Sequence, residues 1–119
     1  MKTKLAVFFG GRSVEHDVSI VTGLQAIENV NREKYEVIPV YLARSGAWYT
    51  GEKLLDVSIY QDFEKHEPEA MQVRLSTVPG EGLLTETGAM ALDAALLCMH
   101  GLHGEDGTLQ GLLELADIP

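Results

Sequence analysis

Two short stretches hold most of the residues able to do chemistry. One runs His100-Gly101-Leu102-His103-Gly104-Glu105-Asp106-Gly107-Thr108-Leu109-Gln110-Gly111, with four glycines, two histidines and two acids. The other runs Gly10-Gly11-Arg12-Ser13-Val14-Glu15-His16-Asp17-Val18-Ser19. A carboxylate such as Glu15 can hold an ammonium group, and a histidine or the free N–H groups of a helix start can hold an anion. Side by side, the two stretches would suit a zwitterion such as an amino acid.

Each of these residues also has a purely structural reading. Glu15 near a helix start complements the macrodipole, and His100 can bond a backbone group within its own turn. Glu105 and Asp106 read as N-cap and first-turn carboxylates of a following helix. The glycines at 101, 104 and 107 read as backbone necessities. Neither Arg12 nor His16 takes a definite role.

Sharper chemistries fail on spacing. Gly10-Gly11-Arg12-Ser13 is not G-x-G-x-x-G, and no Gly-Lys-Ser/Thr closes a phosphate loop, so a self-contained nucleotide site is unsupported. His100 and His103 with Glu105 or Asp106 have zinc-ligand types without a zinc spacing. Ser13 lacks the G-x-S-x-G elbow of a serine nucleophile. Cys98 lies in an apolar run, where a thiol behaves as a small hydrophobe rather than a nucleophile.

Both stretches need a strand before them and a helix after them. Lys4 to Phe9 and Ala94 to Met99 are short apolar runs of the kind that form strands buried on both faces. After the first stretch, with Ser13 as N-cap, Ile20, Val21, Leu24 and Ile27 give a helical stripe that fades near Asn29 to Asn31. After the second, Leu109, Leu112, Leu113, Leu115 and Ala116 predict a helix over 108–116.

Tyr35 to Leu42 reads as the second strand, and Pro39 within it predicts an edge position. Arg44 to Gly51 predicts a hairpin whose Trp48 and Tyr49 cap that edge. Residues 60–90 read as an insertion with a charged loop at 64–69 and a short strand at Val73 to Leu75.

The fold class expected is therefore α/β: a Rossmann-like open parallel sheet of three to four core strands, flanked by helices, with strand 2 at an edge and a hairpin insertion after it. In such sheets ligands bind beyond the carboxyl ends of the strands, where the two turns converge. A fourth parallel strand would begin near Asp117, which suggests a fragment ending close to a domain boundary.

Bulk properties narrow the function classes. At 119 residues the chain is long enough for one domain, and 45% hydrophobic with 23% charged residues indicates neither disorder nor a membrane protein. A formal net charge of −9 argues against a nucleic-acid partner. One cysteine permits no internal disulfide, and the run from Leu5 to Phe9 is too short for a signal peptide. These features predict a soluble, cytoplasmic protein.

On the residues of the two stretches, the chain resembles the D-alanine–D-alanine ligases. Gly10 to Ser19 and His100 to Gly111 look like the two N-terminal signatures of that family, in the right order, and the longer one is matched without a gap. The resemblance covers the whole chain, and is vaguest over residues 60–90.

The resemblance implies that residues 1–119 are the N-terminal, substrate-binding domain that precedes an ATP-grasp module. It implies a reaction in which ATP, with Mg²⁺ or Mn²⁺, phosphorylates the carboxylate of a first D-alanine. The amine of a second D-alanine then displaces phosphate, serving peptidoglycan precursor synthesis. Glu15 matches the carboxylate that anchors the first substrate's ammonium, His100 the histidine near its carboxylate, and Val18 an apolar contact to it. Nucleotide and metal ligands would belong to the later domains, so no cofactor or metal contact is expected within 1–119, and these residues alone are expected to be inactive. Family members typically pair as homodimers through this domain, although no interface patch is legible here.

Two rivals come from other classes. A non-catalytic flavodoxin-like binding module of receiver type needs an acidic pair after the first strand, which Phe8-Phe9-Gly10-Gly11 does not offer. A metal-dependent hydrolase using His100 and His103 would carry stoichiometric metal on elemental analysis.

Overall fold

The computed structural model describes residues 2–11, 16–66, 68, 70–76, 78–98, 113 and 118. At its centre is β1 (Thr3–Gly10), whose last five residues are buried. Ala6, Val7, Phe8 and Phe9 are all solvent-inaccessible, the outcome expected of a continuous apolar run covered on both faces. β1 pairs in parallel with β2 (Tyr35–Leu42) on one side and with β7 (Ala94–Leu97) on the other. Between β2 and β7 in sequence come β3 (Trp48–Thr50), β4 (Met71–Leu75), β5 (Leu83–Thr85) and β6 (Gly88–Met90), each antiparallel to its predecessor. The order is β6-β5-β4-β3-β2-β1-β7. Among the described residues the fold is thus mixed α/β, with three parallel strands inside a seven-stranded sheet rather than an all-parallel one.

Strand 2 is not at an edge. It lies between β1 and β3, and alternation of its backbone groups explains why Pro39 is tolerated there. The carbonyl of Leu42 faces β1, accepting from Gly11 N–H at 2.7 Å, whereas that of Pro39 faces β3, accepting from Thr50 Oγ1 at 2.7 Å. Pairing with β3 stops at Val40↔Thr50, so the N–H that proline lacks falls just past the end of that ladder. Nor do the hairpin aromatics cap an edge. They flank the sheet from inside it: Trp48 meets Phe8 edge-on at 5.6 Å, while Tyr49 points to the other face against Phe63 at 5.1 Å. Among the described residues the sheet ends at β6 on one side and β7 on the other, and Leu96 of β7 is exposed, which the expectation of double-sided burial missed.

The two faces of the sheet carry separate cores. Ala6, Phe8, Ile38, Val40 and Leu42 pack with Val73, Leu83, Leu113 and Ile118 on one face. Val7, Phe9 and Tyr41 pack on the other with Ile20 and Ile27 of α1 (His16–Glu28), and with Leu54 and Ile59. Leu54 and Ile59 come from 3₁₀ segments at Glu52–Leu55 and Val57–Asp62, and the chain then turns once as α2 (Phe63–His66) where a charged loop was expected. Met71–Leu75 does pair as a strand, as the apolar residues Val73 and Leu75 suggested. Leu113 is helical and buried; the remainder of the helix expected over 108–116, and the strand expected near Asp117, lie outside the described residues.

The buried face of α1 consists of His16, Ser19, Ile20, Gly23 and Ile27, while Val21, expected in the stripe, is exposed. Gly23 is where the helix touches the sheet: a Cβ there would lie 2.5 Å from Phe9 Cβ and 2.7 Å from its Cγ. Because Phe9 is inaccessible and held in the strand, it has nowhere to yield. Gly23→Ala is therefore expected to destabilise the chain by about 1–3 kcal/mol, despite the higher helix propensity of alanine. Urea unfolding of the variant beside the parent checks it; an unchanged or raised midpoint would contradict the packing.

Candidate functional site

β1 and β7 run parallel and adjacent, so the chain leaves both at the same edge of the sheet, through Gly11 and through Cys98. That is the edge at which open α/β sheets bind ligands. A set of buried polar groups ties these strand ends to α1 and β2. Ser19, inaccessible to solvent, accepts from Gly10 N–H at 2.9 Å and donates to the carbonyl of Cys98. Cys98 N–H in turn donates to Phe8 O at 2.8 Å. Gly10 has φ +92°, and a Cβ there would lie 2.4 Å from Leu42 O, so only glycine fits this exit from β1.

His16 is the second peg. It is 2% exposed, its Nδ1 bonds the Gly11 carbonyl, and its Nε2 lies 2.7 Å from the Tyr41 hydroxyl. A carbonyl can only accept, so Nδ1 carries the proton and Nε2 accepts from the phenol. Burial pushes the imidazole pKa below 6.5, the bond to Gly11 pulls it partly back, and Arg44 lowers it further. Burial likewise raises Tyr41 to about 12, which keeps it a neutral donor. Cys98 is buried, its thiol pushed up by desolvation, and so is a poor nucleophile.

Beside this edge opens a cleft of about 890 Å³ lined by His16, Asp17, Tyr41, Arg44, Tyr60 and Phe63, among others. Its floor is aromatic, with Tyr41 4.9 Å from Tyr60 and 4.7 Å from Phe63 between ring centroids. Asp17 and Arg44 pair at 3.0 Å on its rim, both well exposed, where such a bridge contributes little.

Of the residues expected to touch substrate, Val18 is described. It sits in the first turn of α1, 55% exposed, and is not among the residues lining the cleft. Glu15 and His100 lie outside the described residues, as do Arg12, Ser13, His103, Glu105 and Asp106. Among the described residues, no group of three His, Cys, Asp or Glu side chains gathers to hold a metal ion. No helix described is long and apolar enough to cross a membrane.

The roles of His16 and Ser19 escaped the sequence reading, though a signal existed. Residues 16, 19, 20, 23 and 27 share one helical face, and polar or small residues on an otherwise apolar stripe mark either close packing or a buried hydrogen bond.

Residues 4–119 match the family described as D-ala D-ala ligase N-terminus. The chain belongs to this family. A D-alanine–D-alanine ligase of Thermosipho melanesiensis is 41% identical over 117 residues, covering 97% of this chain and 32% of that protein. One of Bacillus cytotoxicus is 42% identical over 123 residues, covering 99% and 33%. Among solved structures, the VanG D-Ala:D-Ser ligase of Enterococcus faecalis superposes with a TM-score of 0.86 at 37% identity, over 100% of this chain and 35% of that one. A Bacillus anthracis D-alanine–D-alanine ligase complexed with ATP matches at a TM-score of 0.54 and 32% identity, over 98% and 28%. The chain thus spans about a third of the length of the curated ligases it matches. Membership of the ligase N-terminal family leaves the receiver-type module and the metal-dependent hydrolase without support.

The buried histidine makes this ligase-family domain acid-sensitive. Between pH 6.5 and the lower folded-state value, the unfolded chain binds a proton at His16 that the folded chain does not. Stability from the neutral, doubly bonded ring is therefore complete above pH 6.5 and is lost as pH falls through that window. His16→Gln can still donate to Gly11 and accept from Tyr41 but does not titrate. Urea midpoints measured from pH 8 to 5 should fall less steeply for it than for the parent; parallel curves would reject the assignment.

Proposed function

We propose that residues 1–119 are the N-terminal, substrate-binding domain of an ATP-dependent ligase that joins two D-alanines for peptidoglycan precursor synthesis in the cytoplasm. The family match over 4–119 carries this reading. Two signature turns issuing from one sheet edge support it, as do relatives named for this ligation. On this reading Glu15 accepts hydrogen bonds from the ammonium of the first D-alanine, His100 faces its carboxylate, and Val18, exposed on α1, offers its methyls to the substrate. The three parallel strands would form a Rossmann-like unit extended by the antiparallel strands. Pairing into a homodimer rests on the family resemblance alone.

ATP and Mg²⁺, bound elsewhere in the enzyme, would supply the phosphoryl group that activates the first carboxylate. The glycine pair at the end of β1 does not fit a phosphate. Gly10 N–H is taken by Ser19 and Gly11 N–H by Leu42, so neither is free to cradle an anion. What this domain contributes is binding and orientation.

In the full-length enzyme, Glu15→Gln should raise the KM for the first D-alanine by roughly ten- to a hundredfold, the equivalent of about 1.5–3 kcal/mol for a hydrogen bond to a charged group. ATP affinity should stay nearly unchanged. Steady-state kinetics resolving the two D-alanine sites checks it, and an unaltered first KM would sink the anchor role. The 119 residues alone are expected to form no dipeptide from D-alanine and MgATP; ATP-dependent product from them would overturn the division of labour.

A further inference from the structure

In a parallel ladder, a residue of one strand accepts from the residue after its partner and donates to the residue before it. Between β1 and β7 the pairing Phe8↔Leu97 obeys this, with Cys98 N–H donating to Phe8 O at 2.8 Å. The next rung would run directly from Gly10 N–H to Cys98 O. Here the Ser19 hydroxyl stands in it: Gly10 N–H donates to Ser19 Oγ at 2.9 Å, and the same hydroxyl donates to Cys98 O. One side chain of α1 is thereby spliced into the sheet at the point where both chains depart. The direct bond from Gly10 N–H to Cys98 O is thereby replaced by a two-bond relay through the hydroxyl.

Ordinary packing does not require this. A direct rung would satisfy Gly10 N–H and Cys98 O without any hydroxyl, and an alanine on α1 would serve the apolar face. The serine instead couples three elements: β1, after which the sequence runs on to Glu15; β7, after which it runs on to His100; and α1, which carries Val18 one residue before Ser19. We infer that Ser19 is a positioning residue whose hydroxyl sets the spacing between the ends of β1 and β7, from which the chain continues towards Glu15 and His100. The role in substrate binding rests on the ligase reading above; the spacing itself does not.

The test uses the full-length enzyme with Ser19→Ala, Ser19→Cys and Ser19→Thr. Cysteine keeps the side-chain volume with only a weak hydrogen-bonding group, and threonine keeps the hydroxyl. The first D-alanine KM should rise on the order of tenfold in the alanine and cysteine variants, as displaced binding groups lose alignment. It should return toward the parent value with threonine, while ATP KM stays within about twofold. A crystal structure of Ser19→Ala should show Gly10 N closing on Cys98 O. A first KM within about twofold of the parent in Ser19→Ala would overturn the positioning role. So would a loss in which every KM moves together with the melting temperature, since that marks a purely structural residue. If the parent enzyme joins no D-alanine, the ligase reading falls, and the crystal structure still decides the spacer: an unchanged Gly10–Cys98 gap would refute it.

Discussion

The molecule depends on complete burial of the carboxyl-terminal part of β1, Ala6 to Gly10. Covering both faces of Ala6 to Phe9 removes water from the strand, so every N–H and C=O at its carboxyl end must find a protein partner. β2 serves Gly11, and Ser19 serves Gly10. His16 serves the Gly11 carbonyl. An unmade bond here would cost about 1–3 kcal/mol, which explains why α1 spends two positions of its buried face on polar side chains. Among the described residues no buried side-chain nitrogen or oxygen lacks a partner.

The same constraint governs the helix. For Ser19 and His16 to reach the strand ends, α1 must lie close on β1, and Gly23 against Phe9 permits that approach. Tyr41 then links the peg to the aromatic floor: its hydroxyl donates to His16 while its ring packs on Phe9, Tyr60 and Phe63. The elements after the hairpin, 52–66, close the face that α1 leaves open. The carboxyl edge of the sheet is thus anchored through helix, sheet and insertion together.

Much of this was legible in the residues. Continuous apolar runs named β1 and β7, a 3.6-residue stripe named α1, and Gly46 marked the hairpin turn. The two signatures pointed to the family before any coordinates. Edges were misjudged because proline reports only that one N–H is missing. Whether that N–H was needed depends on where the neighbouring strand stops, and β3 stops at Thr50, opposite Val40. Val21 was misplaced because the buried face runs through His16, Ser19, Ile20, Gly23 and Ile27, so the polar Ser19 rather than Val21 takes the place beside Ile20.

The sequence by itself determined where β1 and α1 lie and which family the chain belongs to, because periodicity and signature spacing are local properties of the chain. It also gathered the residues able to do chemistry into two glycine-rich stretches, 10–19 and 100–111. Only the tertiary structure decided that His16 and Ser19 are buried ties, that β2 lies inside the sheet between β1 and β3, and that a helix hydroxyl occupies a sheet rung. Those outcomes rest on partners distant in the chain, Ser19 with Cys98 and His16 with Tyr41, and no local pattern specifies which distant backbone group a hydroxyl or a ring nitrogen will meet.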